Sequence, residues 1–228
     1  MMHSNSKELN TNSQENEMKK FELVAELSKE FFGRKLFRIR ALISFSDISK
    51  GDLGGWVEKE ECVDQSGNAW VYGDAQVYGN AWVYGDALVS GNALVYGNAR
   101  VCGNAWVSGD AWVSGNARVC GNAWVSGNAQ VYGNARVSGN AQVSGDAQVY
   151  DNAHHITVSP IGSEGGFLTA FRQKDNSIVV RRGCFSGSIE EFEKAINATH
   201  GDSKYAEQYK IVIALIKSRL ESVEQNND

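Results

Sequence analysis

From Gly67 to Tyr150 the chain alternates small or apolar residues with polar ones in a six-residue frame, G-[ND]-A-x-V-[YSC], repeated fourteen times without an insertion. Ala and Val flank the variable residue x, so in an extended segment they point to one side while x points to the other. Gly and Asn or Asp supply the corner conformations that turn the chain between segments. Repetition at a fixed period outranks local propensity, and here it predicts a β-solenoid. Three frames close one triangular turn, so residues eighteen apart stack. Parallel strands about 4.8 Å apart would build a prism roughly 20–25 Å tall from these copies.

The flanks carry different patterns. Residues 1–20 are polar and aperiodic and read as a disordered tail. "FELVAE" at 21–26 and "RKLFRIRALISF" at 34–45 alternate in part and predict a short and a longer strand, with helix over 21–32 as the rival. Gly51, Gly54 and Gly55 form a turn cluster, which completes an N-terminal cap over 21–55 and leads into a β-helix over 56–156. A degenerate copy, "DNAHHI", ends the repeats at 151–156. Beyond it, "HHITVSP", "GFLTAFRQ" and "SIVVRRG" read as short strands, with a turn at Lys174-Asp175-Asn176. Ser188 and Glu191 form a capping box opening a helix that Gly201 closes, and a longer helix starts at Asp202 or Ser203 and runs to about Val223. The strands and helices over 157–224 cap the open end of the stack, and 225–228 are a tail.

Sorted by the eighteen-residue stacking, the variable residues fall on three outer faces. One reads Trp70, Leu88, Trp106, Trp124, Gln142; the second Gln76, Leu94, Trp112, Gln130, Gln148; the third Trp82, Arg100, Arg118, Arg136, His154. The first is an apolar strip and the third is basic. Exposed tryptophan in a strip marks an interface, so Trp70, Leu88, Trp106 and Trp124 are the expected oligomer contact. Three stacked arginines repel unless something neutralises them. Two readings are open: the arginines meet the tryptophans of a neighbouring subunit, or they hold an anion with Trp82, Trp106, Trp124 and His154 close by for stacking. In one corner column Asp74, Asp110 and Asp146 are separated by Asn92 and Asn128, which lets amides bridge the carboxylates.

A net charge of −5 argues against general attraction to nucleic acid or an anionic membrane. The longest pure apolar run, "IVIALI" at 211–216, is far short of a membrane span, and no signal-like segment opens the chain, so a cytoplasmic location is expected. The cysteines Cys62, Cys102, Cys120 and Cys184 show no spacing of a zinc knuckle or a disulfide framework, although Cys102 and Cys120 stack beside the arginines. No metal and no cofactor are expected.

The repeated frame resembles the hexapeptide-repeat proteins, which implies a left-handed parallel β-helix and a homotrimer packed side by side. "GDLGGWVEKEE" before the repeats and "RGCFSGSIEEFEKAINATHGDSKYAEQY" after them are similar to a group of phage and prophage hexapeptide-repeat proteins, often described as transferases or polymer-forming proteins. Acyltransferases of the class carry a general-base histidine beside a loop extruded from the helix. Here the repeats run on without a loop, and the candidate bases are only His154, His155 and His200. The expectation is therefore a non-catalytic trimer of phage type, acting in a bacterial host by sequestering an anionic, nucleotide-like ligand or by occluding a host protein. An acyl-CoA-dependent transferase and a structural scaffold are the alternatives.

Overall fold

The computed structural model describes residues 19–220. Of the tail expected over residues 1–20, residues 1–18 lie outside them, as do the last residues of the expected second helix and the expected tail at 225–228.

Strands β1 (Phe21–Phe31) and β2 (Arg34–Ala41) form an antiparallel hairpin, so the segment with a helical rival is a strand. Strand β2 pairs with β3 (Leu53–Val57), and β3 turns the sheet parallel by pairing Trp56 with Gln76 and Val57 with Val77. The first coil thus begins at Trp56, before the regular frame, and spans two more residues than the later ones. Fourteen two-residue strands follow, β4 (Trp70–Val71) to β17 (Gln148–Val149), with x and Val of one coil in register with x and Val of the next. Three parallel sheets result, one per face, and the stack makes a β-solenoid of about five turns. Every Ala and Val of the fourteen frames is buried and together they form one continuous core.

Backbone hydrogen bonds give this stack a direction. In frame after frame the N–H groups of the corner residue, of x and of the residue after Val donate to the Gly, Ala and Val carbonyls of the next coil, as in Asn98→Gly115, Arg100→Ala117 and Cys102→Val119 at 2.8–2.9 Å. The first coil is left with carbonyls that nothing below can satisfy, and the last with N–H groups. Buried groups of this kind need partners.

At the start, Lys20 supplies them. Its ammonium donates to the carbonyls of Ser66, Gly67 and Ala69 at 3.3, 3.3 and 2.9 Å, and the residue is 2 % exposed. Lys19 pairs with Glu60 at 2.8 Å. These two lysines therefore belong to the cap and not to the expected tail, because the carbonyl-rich end of the stack needs donors. Arg38 likewise donates to the Gly54 and Gly73 carbonyls. The Lys29 ammonium and the Arg38 guanidinium lie over the Trp56 ring, 4.4 and 4.5 Å from its centre.

The other end is closed by acceptors. Asn152 Oδ1 accepts from Arg136 N–H at 2.9 Å and Thr169 Oγ1 from Gln142 N–H at 3.2 Å. Strands β18 (His155–Ile161), β19 (Gly166–Arg172), β20 (Ile178–Arg182) and β21 (Phe185–Ser188) form an antiparallel sheet whose Phe171 joins the solenoid core. Helices α1 (Ile189–His200) and α2 (Lys204–Leu220) pack on that sheet around a second core containing Leu168, Val180, Phe192, Tyr209 and Ile216. The capping box of Ser188 and Glu191 is present, and Gly201 caps α1.

Candidate functional site

The repeat brings Arg100, Arg118 and Arg136 onto three consecutive rungs of one face, exposed and in register. Trp82 starts the column, 38 % exposed, with its indole stacked on Tyr84 at 4.1 Å and the Arg100 guanidinium 6.0 Å from its ring. Among the described residues no carboxylate lies within 4.0 Å of these three guanidiniums. At rungs about 4.8 Å apart, each neighbouring pair repels by about 1 kcal/mol in water and by several times that where the dielectric falls. The face is thus a built cationic strip without an internal counter-charge.

On the first face Trp106 and Trp124 stack with ring centroids 5.3 Å apart and planes 6° from parallel. Their indole N–H groups donate to Ser90 Oγ and Ser108 Oγ at 2.9 and 3.2 Å, which fixes the orientation of both rings. Sequence reasoning missed these serines. They sit sixteen residues before each tryptophan, at the position after Val, and a tally of that position against x would have found them. Trp112 is exposed on the second face between Leu94 and Gln130. Each corner amide reaches one of its two neighbouring carboxylates: Asn92 donates to Asp110 and Asn128 to Asp146 at 2.9 and 3.0 Å.

Three expectations are corrected. Trp70 is 1 % exposed, edge-on to Phe21 and Phe45, because the N-terminal cap folds over the first coil; it is core and no part of an interface. His154 does not continue the arginine column outward. The chain leaves the frame in a short 3₁₀ turn at Asn152–His154, which buries its imidazole against Tyr150. Cys102 and Cys120 form a disulfide, since stacking sets their Cα atoms 4.5 Å apart, within bridging range. Leu88 is half-buried beside Trp106 in the apolar column.

At the last coil the structure adds residues that no local pattern marks. Arg219, near the end of α2, donates to the Asn152 carbonyl at 2.9 Å and so comes beside Arg136. His155 lines the same cavity, and burial, then the Arg219 charge, pushes its pKa down to about 4. Among the described residues no three His, Cys, Asp or Glu side chains are grouped to hold a metal ion, and no helix is long and apolar enough to cross a membrane.

The YdcK beta solenoid repeat model matches residues 75–91, 99–115, 111–127 and 129–146, which lie within the stacked coils. The chain is a β-solenoid repeat protein. Its similarity to that model is confined to the repeats and covers less than a third of its length. No curated protein matches the sequence significantly.

Proposed function

We propose that this solenoid is a non-catalytic binding protein of hexapeptide-repeat, phage type, and that it holds a phosphorylated, nucleotide-like anion against Arg100, Arg118 and Arg136. One observation carries the reading: three guanidiniums occupy successive rungs with no carboxylate beside them. A phosphate chain offers oxygens to several guanidiniums at once, and such charge-assisted bonds are the strong ones. Trp82 gives the strip an aromatic end on which a base can stack. The exposed, stacked Trp106–Trp124 pair supports side-by-side assembly with further copies of the chain, in a homotrimer. Flanks similar to phage proteins support a role in the cytoplasm of a bacterial host, where sequestering the ligand removes it from host use. In such a reducing compartment Cys102 and Cys120 would be neighbouring thiols.

The test is thermal denaturation of the purified chain with increasing ADP and GTP. Saturable stabilisation following RT ln(1 + [L]/Kd) is expected, absent in Arg118→Gln while light scattering shows the same oligomer. A flat melting temperature with both nucleotides, or a shift that added salt abolishes entirely, would overturn the reading.

A further inference from the structure

Where the arginine face meets the C-terminal cap, a cavity of about 340 Å³ is lined by Arg136, Ser138, Asn152, His155, Thr157 and Arg219, with Ile156 as its apolar member. Two arginines 83 residues apart in sequence line it, and no carboxylate is among its lining residues. Asn152 ties the two arginines into one frame: its side chain accepts from the Arg136 backbone N–H and its carbonyl accepts from the Arg219 guanidinium. Ser138 and Thr157 add hydroxyls. His155 packs into the wall of the cavity, with its Nδ1 shut off from solvent.

We infer that this cavity is a second anion site, shaped for a phosphate monoester of a small polyol: Arg136 and Arg219 hold the phosphoryl oxygens and the Ser138 hydroxyl meets the polyol. One observation points past a bare inorganic anion. A cavity of 340 Å³ exceeds what a phosphate fills and stands at the lower end of small-molecule sites. The backbone direction of the stack agrees, since this is the end where N–H groups emerge. The inference rests on the reading of the arginine face only through the shared Arg136; Arg219, His155 and Thr157 belong to the cap.

Isothermal titration of the full chain with ribose 5-phosphate, inorganic phosphate and ribose separates the possibilities. The expected result is saturable binding of ribose 5-phosphate, at least about tenfold tighter than inorganic phosphate, and none of ribose. Arg219→Gln should weaken it by tenfold or more, the loss of one charged hydrogen-bond set, whereas Arg100→Gln and Arg118→Gln leave it unchanged. Ser138→Glu is the second variant: the position is exposed within an ordinary frame, so folding is retained, and its carboxylate should abolish binding. Far-UV circular dichroism checks each variant. Absence of binding, or binding that survives both Arg219→Gln and Ser138→Glu, overturns the cavity site. Loss in Arg118→Gln as well overturns it as a site distinct from the ladder. Failure here with intact nucleotide binding at Arg118 leaves the arginine face standing, and the converse result leaves the cavity standing.

Discussion

The two ends of the solenoid solve opposite problems. At the first coil the stack presents carbonyls, and the chain answers with cations: Lys20 donates to three of them and Arg38 to two. At the last coil it presents N–H groups, and the answer is neutral side-chain oxygen from Asn152 and Thr169. The difference teaches that a cap does more than cover apolar rungs. It must also match the sense of the hydrogen bonds, and a cap suited to one end would be wrong at the other. The cations are also placed differently: Lys20 is buried under backbone carbonyls at the first end, whereas Arg136 and Arg219 at the last end line a cavity, Arg219 with one bond to the Asn152 carbonyl.

The largest effect should come from disabling the cation at the first end. Lys20→Met keeps volume but orphans the Ser66, Gly67 and Ala69 carbonyls, and a loss of about 3 kcal/mol or more is expected, at roughly 1–3 kcal/mol per unsatisfied group. Thr169→Val, which orphans one N–H at the far end, should cost about 1–2 kcal/mol. Chemical denaturation measures both; equal losses would show that the ends are not distinguished by their backbone polarity.

A smaller effect contrasts the middle with the open end. Gly115 and Gly139 share a left-handed conformation, with φ of 65° and 67°. A Cβ at Gly115 would lie 2.9 Å from the Gly133 nitrogen, while at Gly139 it would meet nothing within 4 Å. Gly139→Ala should therefore cost only the conformational penalty of about 1–2 kcal/mol, and Gly115→Ala clearly more, since backbone in the next coil cannot yield. Comparable melting temperatures for the two variants would contradict this.

The smallest effect is a pair of pH steps. Burial lowers Lys20 from its ordinary 10.5 to about 8, against the pull of Asp64 and Asp86. Between those values the unfolded chain holds more protons than the folded one, so this group makes stability rise with pH across that window. His155, lowered from 6.5 to about 4, acts with the same sign in its own window, so stability falls as pH drops through it. A melting-temperature profile should lose its upper step in Lys20→Met and its lower step in His155→Gln. The upper step is best read below pH 10, because Tyr72, pushed up to about 12 by burial and by its bond to Asp47, works in the opposite sense above its ordinary value of 10. A profile unchanged in both variants would refute the assignment.

Much of the fold was legible because the repeat removes ambiguity. Once Ala and Val are assigned inward, the three faces and the pairing of Asn92 with Asp110 follow from spacing alone. What escaped depends on where periodicity stops. Trp70 carries the same frame as Trp106, and only the cap folded over it makes it core. His154 continues the arithmetic of the arginine column, but two residues earlier the chain has left the frame. Lys20 looks like tail because nothing in its neighbourhood reveals that three carbonyls sixty-odd residues from the start of the chain require a donor. Arg219 lies on a helix face that is cationic for no local reason, and its partner Asn152 is 67 residues away. Each of these residues acts through a long-range neighbour that no six-residue window contains.

The frame that builds the core is one third as long as the turn that sorts the faces, and the mismatch governs which insertions and deletions the protein tolerates. Removing one copy of six residues leaves every Ala and Val inward and every Gly at a corner, so the chain still folds into coils. Everything downstream, however, rotates by one face: tryptophan would then stand over arginine, and the strip would be scrambled without any loss of core. Only whole turns of three copies conserve both. Lineages of such a protein should therefore change length in steps of eighteen where the faces matter and in steps of six where they do not, so the length differences among relatives would themselves record which surface is under selection.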